Sequence, residues 1–138
     1  MCLLFNQDAK VETTTEEMVV YKVVLQRNNC VVAIYQDFMY SLTDVMVAEY
    51  FNHSVGRVED YAKPGLASYR RVYHGFHSFV HERDACNLAM IEDYVNNVKF
   101  RIRAAKFIIP MGTRFIRGVN DDKQGNIVSE KLKFMSWV

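Results

Sequence analysis

The sequence predicts an α+β domain, a mainly antiparallel sheet carrying one principal helix over residues 82–96. Apolar and polar residues alternate over 98–104 and again over 127–135, the period of half-buried strands. Ala85, Leu88, Ala89, Ile91 and Val95 instead recur at three- and four-residue spacing, which places them on one helix face. Strand-like segments flank this one helix rather than alternating with several, which favours antiparallel pairing over βαβ units. The 138 residues, half of them hydrophobic with nine Phe, eight Tyr and one Trp, suffice for one domain with a substantial core. Neither intrinsic disorder nor a disulfide-stapled mini-protein fits that composition.

Residues 1–17 are polar and read as an extended lead-in. The β-branched and aromatic stretch 18–26 reads as a strand, Asn28-Asn29 as a turn, and 30–35 as the second strand of a hairpin. Residues 38–62 match neither period, and 63–74 read as loop. Segment 75–80 is strand-like and leads into the helix, where Glu82 and Asp84 complement the positive end of the dipole and Asn96-Asn97 marks the stop. From Val98 the period becomes two, with Lys99, Arg101 and Arg103 opposite Val98, Phe100, Ile102 and Ala104. The adjacent Ala104 and Ala105 shift the phase, so a bulge is expected there before 107–109. Pro110-Met111-Gly112 turns the chain into 113–117, a polar loop covers 118–126, and 127–135 is expected to form one last strand. No repeat or Pro/Ser-rich linker divides the chain, so 1–138 reads as a single domain.

Three cysteines, Cys2, Cys30 and Cys86, without CxxC spacing suit a reducing compartment and offer no zinc pattern. The first ten residues do not read as a secretory leader, and no run of about 18 apolar residues could span a membrane. A cytoplasmic protein with no membrane partner is the expectation. The net charge of +1 conceals an asymmetry: residues 1–66 hold five basic and nine acidic groups, 67–138 hold twelve and seven, and 94–120 contain no acid. A local positive field can thus exist on a near-neutral chain. The pI near 7.7 argues against a duplex nucleic-acid surface and for a small anionic ligand.

On the last expected strand Val128, Glu130, Leu132 and Phe134 share a row, so the pattern points Glu130 inward. A desolvated carboxylate is costly unless it is paired or lines a wet cleft. Glu130 is therefore half of a structural ion pair, an edge charge that deters aggregation, or an acid facing a ligand. Lys22 is in phase with Val20 and Val24; it meets a carboxylate or an anionic ligand there, or else that face is wet. His74, His77 and His81 fall close together, but an extended segment sends His74 and His77 to opposite faces and no Cys or acid completes a ligand set, so no metal is expected. His77 and Ser78 stay candidates for polar groups in a cleft. No nucleophile elbow, Walker or dinucleotide-loop pattern is present, and Cys86 reads as packed within the helix. Arg101 and Arg103 form a solvated strand face or recognise phosphate, for which guanidinium is well shaped, with Arg114 as a further rim cation.

Several of these segments together, Tyr21-Lys22-Val23, Gly75-Phe76-His77-Ser78-Phe79 with Ala85 in the following helix, Ile109-Pro110-Met111-Gly112-Thr113-Arg114-Phe115, and Ile127-Val128-Ser129-Glu130-Lys131-Leu132, resemble a group of small proteins from bacteria and their phages. That resemblance covers most of the chain from about residue 18 and implies no activity. More distantly, the same order is similar to the ADP-ribosyltransferase superfamily: a first strand ending in a basic or histidine residue, a serine motif leading into a helix, and a late glutamate after a Pro-x-Gly turn. The resemblance puts Lys22 at the basic position, Ser78 at the serine motif and Glu130 at the glutamate, and implies an NAD cleft. Lys22 stands where Arg or His is usual, Gly75-Phe76-His77-Ser78 replaces a Ser-Thr-Ser triplet, and Val128 stands two before Glu130 where an acid or glutamine is usual.

The reading is a small cytosolic, phage-type accessory protein that binds a nucleotide-like anionic ligand or signal molecule without catalysis. Its expected ligand contacts are Lys22, His77, Ser78, Arg101, Arg103, Arg114 and Glu130. Two alternatives stay open. One is an ADP-ribosyltransferase-like enzyme using NAD, with Glu130 stabilising an oxocarbenium-like transition state. The other is an interaction module that meets a host protein, or forms a homo-oligomer, through surface aromatics.

Overall fold

The computed structural model describes residues 3–6, 10–34, 38–49, 51, 69–72, 74–96, 101–119 and 124–138. These form strands β1 (Leu3–Asn6), β2 (Glu12–Thr13), β3 (Met18–Arg27), β4 (Cys30–Ala33), β5 (Met39–Tyr40), β6 (Met46–Val47), β7 (Tyr69–Val72) and β8 (Phe76–Phe79). Helix α1 (Glu82–Asn96) follows, and then β9 (Arg101–Ile109), β10 (Arg114–Val119), β11 (Gly125–Ser129) and β12 (Lys131–Trp137). The strands run in the order β6-β12-β9-β3-β8-β11-β10-β1-β7, with β2 on β10, β4 on β3 and β5 on β4. All described pairings are antiparallel, so the α+β class with one helix holds for the described residues.

The β3–β4 hairpin turns at Asn28, whose φ of 55° suits asparagine better than most side chains, and Arg27 pairs with Cys30 across it. Along its other edge β3 pairs with β9 without interruption, from Met18↔Ile109 to Gln26↔Arg101. The bulge expected at Ala104 and Ala105 is therefore absent from this pairing. Both faces of the sheet are buried there: Ile102 and Ala104 pack with Val23 beneath Ala85 and Ala89 of α1, while Ala105, Phe107 and Ile109 join Val20 and Val24 in a second core. The irregularity lies in β12 instead, between Phe134 and Ser136. On α1, Ala85 and Ala89 are buried as expected, but Ile91 is exposed beside Met90 and Tyr94.

The strand order forces the sheet to curl. β11 ends at Ser129 and β12 starts at Lys131, yet β9, β3 and β8 lie between them. Four inter-strand spacings would separate them by about 19 Å in a flat sheet. A link through one residue reaches only about 7 Å. The sheet must therefore bend around the core of Val20, Val24, Phe107, Ile127 and Leu132.

The same bend corrects the expected last strand. Ser129 donates from Oγ to the Lys131 carbonyl (3.0 Å), the Glu130 amide donates to the Arg114 carbonyl (3.0 Å), and the Ala48 amide donates to the Glu130 carbonyl (2.8 Å). Turning at Glu130 changes the phase. Ile127 shares the inner face with Leu132 and Phe134, so Val128 falls on the other face and the expected row of Val128, Glu130, Leu132 and Phe134 does not form.

The lead-in carries β1, which pairs with β7 and β10, and β2, which pairs with β10. Part of the expected loop at 63–74 is strand β7, and residues 63–68 lie outside the described residues. Tyr35 and Lys99 also lie outside them. Thr14 fastens the turn before β10: its Oγ1 donates to the Pro110 carbonyl (2.7 Å) and accepts from the Thr113 amide (2.9 Å). Gly112 takes the left-handed φ of 79° in that turn.

Candidate functional site

The sheet divides beside Lys22. The edge of β3 that faces away from β9 meets β8 at Tyr21↔Phe79 and meets β4 from Val24↔Ala33 onward. Between these pairings the two partner strands diverge, leaving a fork at Lys22 and Val23. Alternation along β3 sends the Lys22 side chain to the inner face, with Val20 and Val24, where it is buried. Its Nζ donates to the backbone carbonyl of His77 on β8, an acceptor next to the point where the β3–β8 pairing stops. Nζ also stands 5.7 Å from the centroid of the Tyr40 ring, a cation–π contact. Burial pushes the Lys22 amine down to about 7 and pushes the Tyr40 phenol up.

Ser78 belongs to the same place. Phe79 shares the helix-covered face with Tyr21, so Ser78 shares the inner face with Lys22, and extending the register would set the two opposite each other. Ser78 is fully buried, and its Oγ has no hydrogen-bond partner. Of the described side-chain polar atoms, only Thr113 Oγ1 is in the same condition. The ring of Phe38 packs against Tyr40 at 5.1 Å and against Phe76 at 5.8 Å, and so bridges from the β5 side of the fork to β8. His77 serves the fork through its carbonyl; its side chain alternates to the opposite face from Ser78.

Glu130 occupies the β11–β12 bend. Arg114 grips it with both arms, Nε to Oε2 at 3.1 Å and Nη2 to Oε1 at 2.7 Å. The Arg114 hydrogen bonds hold the Glu130 carboxyl below its usual range, and the same bonds raise the guanidinium. Glu130 is half-buried at the bend rather than pointing into an apolar row, so of the three sequence readings the ion pair is the one the structure shows. Arg103 stacks over Trp137 at 4.4 Å and donates from Nη1 to Gln26 Oε1 at 3.2 Å. Arg101 is exposed at the start of β9, opposite Gln26.

The seven expected contacts thus divide among three places. Lys22 meets the His77 carbonyl at the fork, with Ser78 next along β8, Arg114 and Glu130 pair at the bend, and Arg101 and Arg103 lie at the outer end of β9. Tyr40 and Phe38 were missed because residues 38–62 matched no period, although aromatics two apart are a strand signal in miniature. Among the described residues no three His, Cys, Asp or Glu side chains gather as a metal set, and no helix is long and apolar enough to cross a membrane. Comparisons with protein-family models, with curated proteins and with solved structures found no match.

Proposed function

We propose that the protein is a non-catalytic binding protein whose ligand is a small nucleotide-like anion held at the fork of β3. The observation that carries this reading is Lys22, a buried amine inside an apolar curl with no ion pair to a carboxylate among the described residues. The Ser78 hydroxyl, which has no hydrogen-bond partner, adds a second buried polar group on the same face. Sites that leave buried polar groups unpaired lose stability, and such groups gather where a ligand completes them. Arg101 supplies exposed positive charge for steering, while Arg114 and Glu130 cancel each other at the bend. For an accessory protein of phage type, sequestering a signalling nucleotide is a role that such a site suits.

Calorimetry against dinucleotides, cyclic nucleotides and NAD derivatives tests the reading. Binding at submillimolar concentration, lost in Lys22→Met, is expected; a panel with no binder refutes it.

A second reading, an ADP-ribosyltransferase-like enzyme, draws support from Lys22 and Ser78 sharing one face at a sheet fork, with Glu130 in the bend just past the end of β11, the strand next to β8. Both Glu130 carboxylate oxygens are occupied by Arg114, so catalysis would first require that pair to open. Incubation with labelled NAD and cell extract separates the two: transfer or hydrolysis that disappears in Glu130→Ala supports the enzyme, and no turnover supports the binding protein.

A further inference from the structure

The fork also bears on which anion is taken and in what protonation state. We propose that the ligand's phosphodiester, a monoanionic group, sits on Lys22 Nζ and Ser78 Oγ and is taken up together with one proton. The inference rests on the binding site argued above and adds its charge selectivity and proton linkage.

The charge selectivity follows from the number of groups available. Among the described residues at the fork, the inward polar side chains are the Lys22 amine, the Ser78 hydroxyl and the Tyr40 phenol, and the neighbours on the inner face, Val20, Val24, Ala105 and Phe107, carry no charge. A protonated Lys22 neutralises one negative charge. A phosphate monoester, at about −1.5 to −2 near neutral pH, would leave a residual charge desolvated in an apolar surround. A phosphodiester leaves none. The Ser78 hydroxyl can donate to a phosphate oxygen and so gains the partner that it lacks.

The proton linkage follows from burial. Without a ligand the Lys22 amine loses its proton near neutral pH, because desolvation disfavours the ammonium. An anion beside it reverses that preference, so above neutrality binding draws one proton from solvent onto Nζ. Among the described residues facing Lys22, no other titratable side chain competes for this role. From β5 comes Tyr40, whose phenol burial keeps protonated. On β9 the nearest charge on the same face is Arg103, committed to Trp137 and Gln26. β8 offers Ser78 and the His77 carbonyl, and β4, β6, β11 and β12 offer apolar or uncharged side chains there, among them Val31, Met46, Ile127 and Leu132. On β10 the inner-face charge is Arg117, paired with Glu12 at 3.6 Å.

Calorimetry of the intact protein with cyclic AMP and cyclic di-AMP decides the matter, since a phosphodiester lacks the second ionisation that a monoester has near pH 6 and keeps a single charge between about pH 6 and pH 9. Affinity should fall about tenfold per pH unit above pH 7, and heats measured in buffers of different ionisation enthalpy should show about one proton taken up per ligand at pH 8.5. AMP, a monoester, should bind at least tenfold more weakly than cyclic AMP. Lys22→Met should abolish binding, and Ser78→Ala should weaken it while leaving the pH slope intact. Should Lys22→Met fail to fold, proton uptake and Lys22 Nζ titration by NMR in the unaltered protein still decide. A bound probe whose affinity is flat with pH and releases or takes up no proton overturns this inference and leaves the binding reading standing. Absence of binding by every probe at pH 6 overturns both.

Discussion

Replacing Lys22 by methionine removes a buried amine and keeps most of the side-chain volume. In the unfolded chain this lysine holds its proton up to its ordinary value of 10.5, whereas in the folded protein it holds it only below about 7. Between those values the unfolded state binds more protons, so the stability of the unaltered protein rises with pH across that window. A difference of about 3.5 units at about 1.4 kcal/mol each sets an upper bound of about 5 kcal/mol for what the buried charge costs at or below pH 7. Against this stands the His77 carbonyl, which loses its donor at a cost of about 1–2 kcal/mol. Lys22→Met should therefore be more stable than the parent by about 3 kcal/mol at pH 6.5. Near pH 10.5 the lysine is largely neutral in the fold and the gain should vanish or turn into a loss of about 1 kcal/mol. Urea denaturation of both proteins at the two pH values, with the slope checked for constancy, measures this directly. A gain of equal size at both values would show that packing and not charge had been changed, and destabilisation at pH 6.5 would show that Lys22 has a charged partner.

Four further substitutions test the framework around the fork. Gly75 has a φ of 114°, and a Cβ there would come within 2.5 Å of Val128 Cγ1, whereas at Gly112, with a φ of 79°, a Cβ would meet nothing. Gly75→Ala should cost about 3 kcal/mol or more and Gly112→Ala about 1 kcal/mol in thermal melts, and equal losses would contradict the stated clash. Thr14→Val strips partners from the Thr113 amide and the Pro110 carbonyl, so a loss of about 2–3 kcal/mol with faster hydrogen exchange at the Thr113 amide is expected. Glu130 is held below its usual range by Arg114, so its contribution is present above the unfolded value and fades as pH falls through the folded one. Glu130→Gln should be slightly less stable than the parent at pH 7 and indistinguishable from it near pH 3; a constant difference across that range would show that the ion pair is not its source.

The hairpin of β3 and β4, strand β8 and helix α1 were legible because each carries a local signal: a strand-forming run, a two-residue turn, or the helical spacing of Ala85, Leu88 and Ala89, although Ile91 of that stripe is exposed. The last strand was misread because Ile127 to Phe134 is apolar often enough to look continuous. Only the long-range order of the strands, with β9, β3 and β8 lying between β11 and β12, requires the chain to turn at Glu130. The expected bulge at Ala104 and Ala105 failed for a related reason. Two consecutive buried alanines mean a phase shift when one face is wet, and mean nothing of the kind when α1 covers one face and the curled sheet the other. At the site, Lys22 was legible from its phase with Val20 and Val24. Tyr40 was not, since a two-residue strand is too short to declare a period.

Ser78 breaks the rule that buried polar groups are hydrogen-bonded, and Lys22 buries an amine with a backbone carbonyl and no carboxylate among the described residues to meet it; the two lie on adjacent strands, on the same face, where β3 changes partners. A methionine at 22 and an alanine at 78 would fill those positions without the cost of burying an amine and a hydroxyl. Local rules of this kind are broken at functional sites and compensated elsewhere, so stability and function should separate there. The Glu130–Arg114 pair shows the contrast, because it satisfies itself and its removal should cost stability. A substitution at Lys22 that strengthens the fold while abolishing ligand binding would mark the fork as a site kept for its ligand. One that weakens the fold at neutral pH would mark Lys22 as structural.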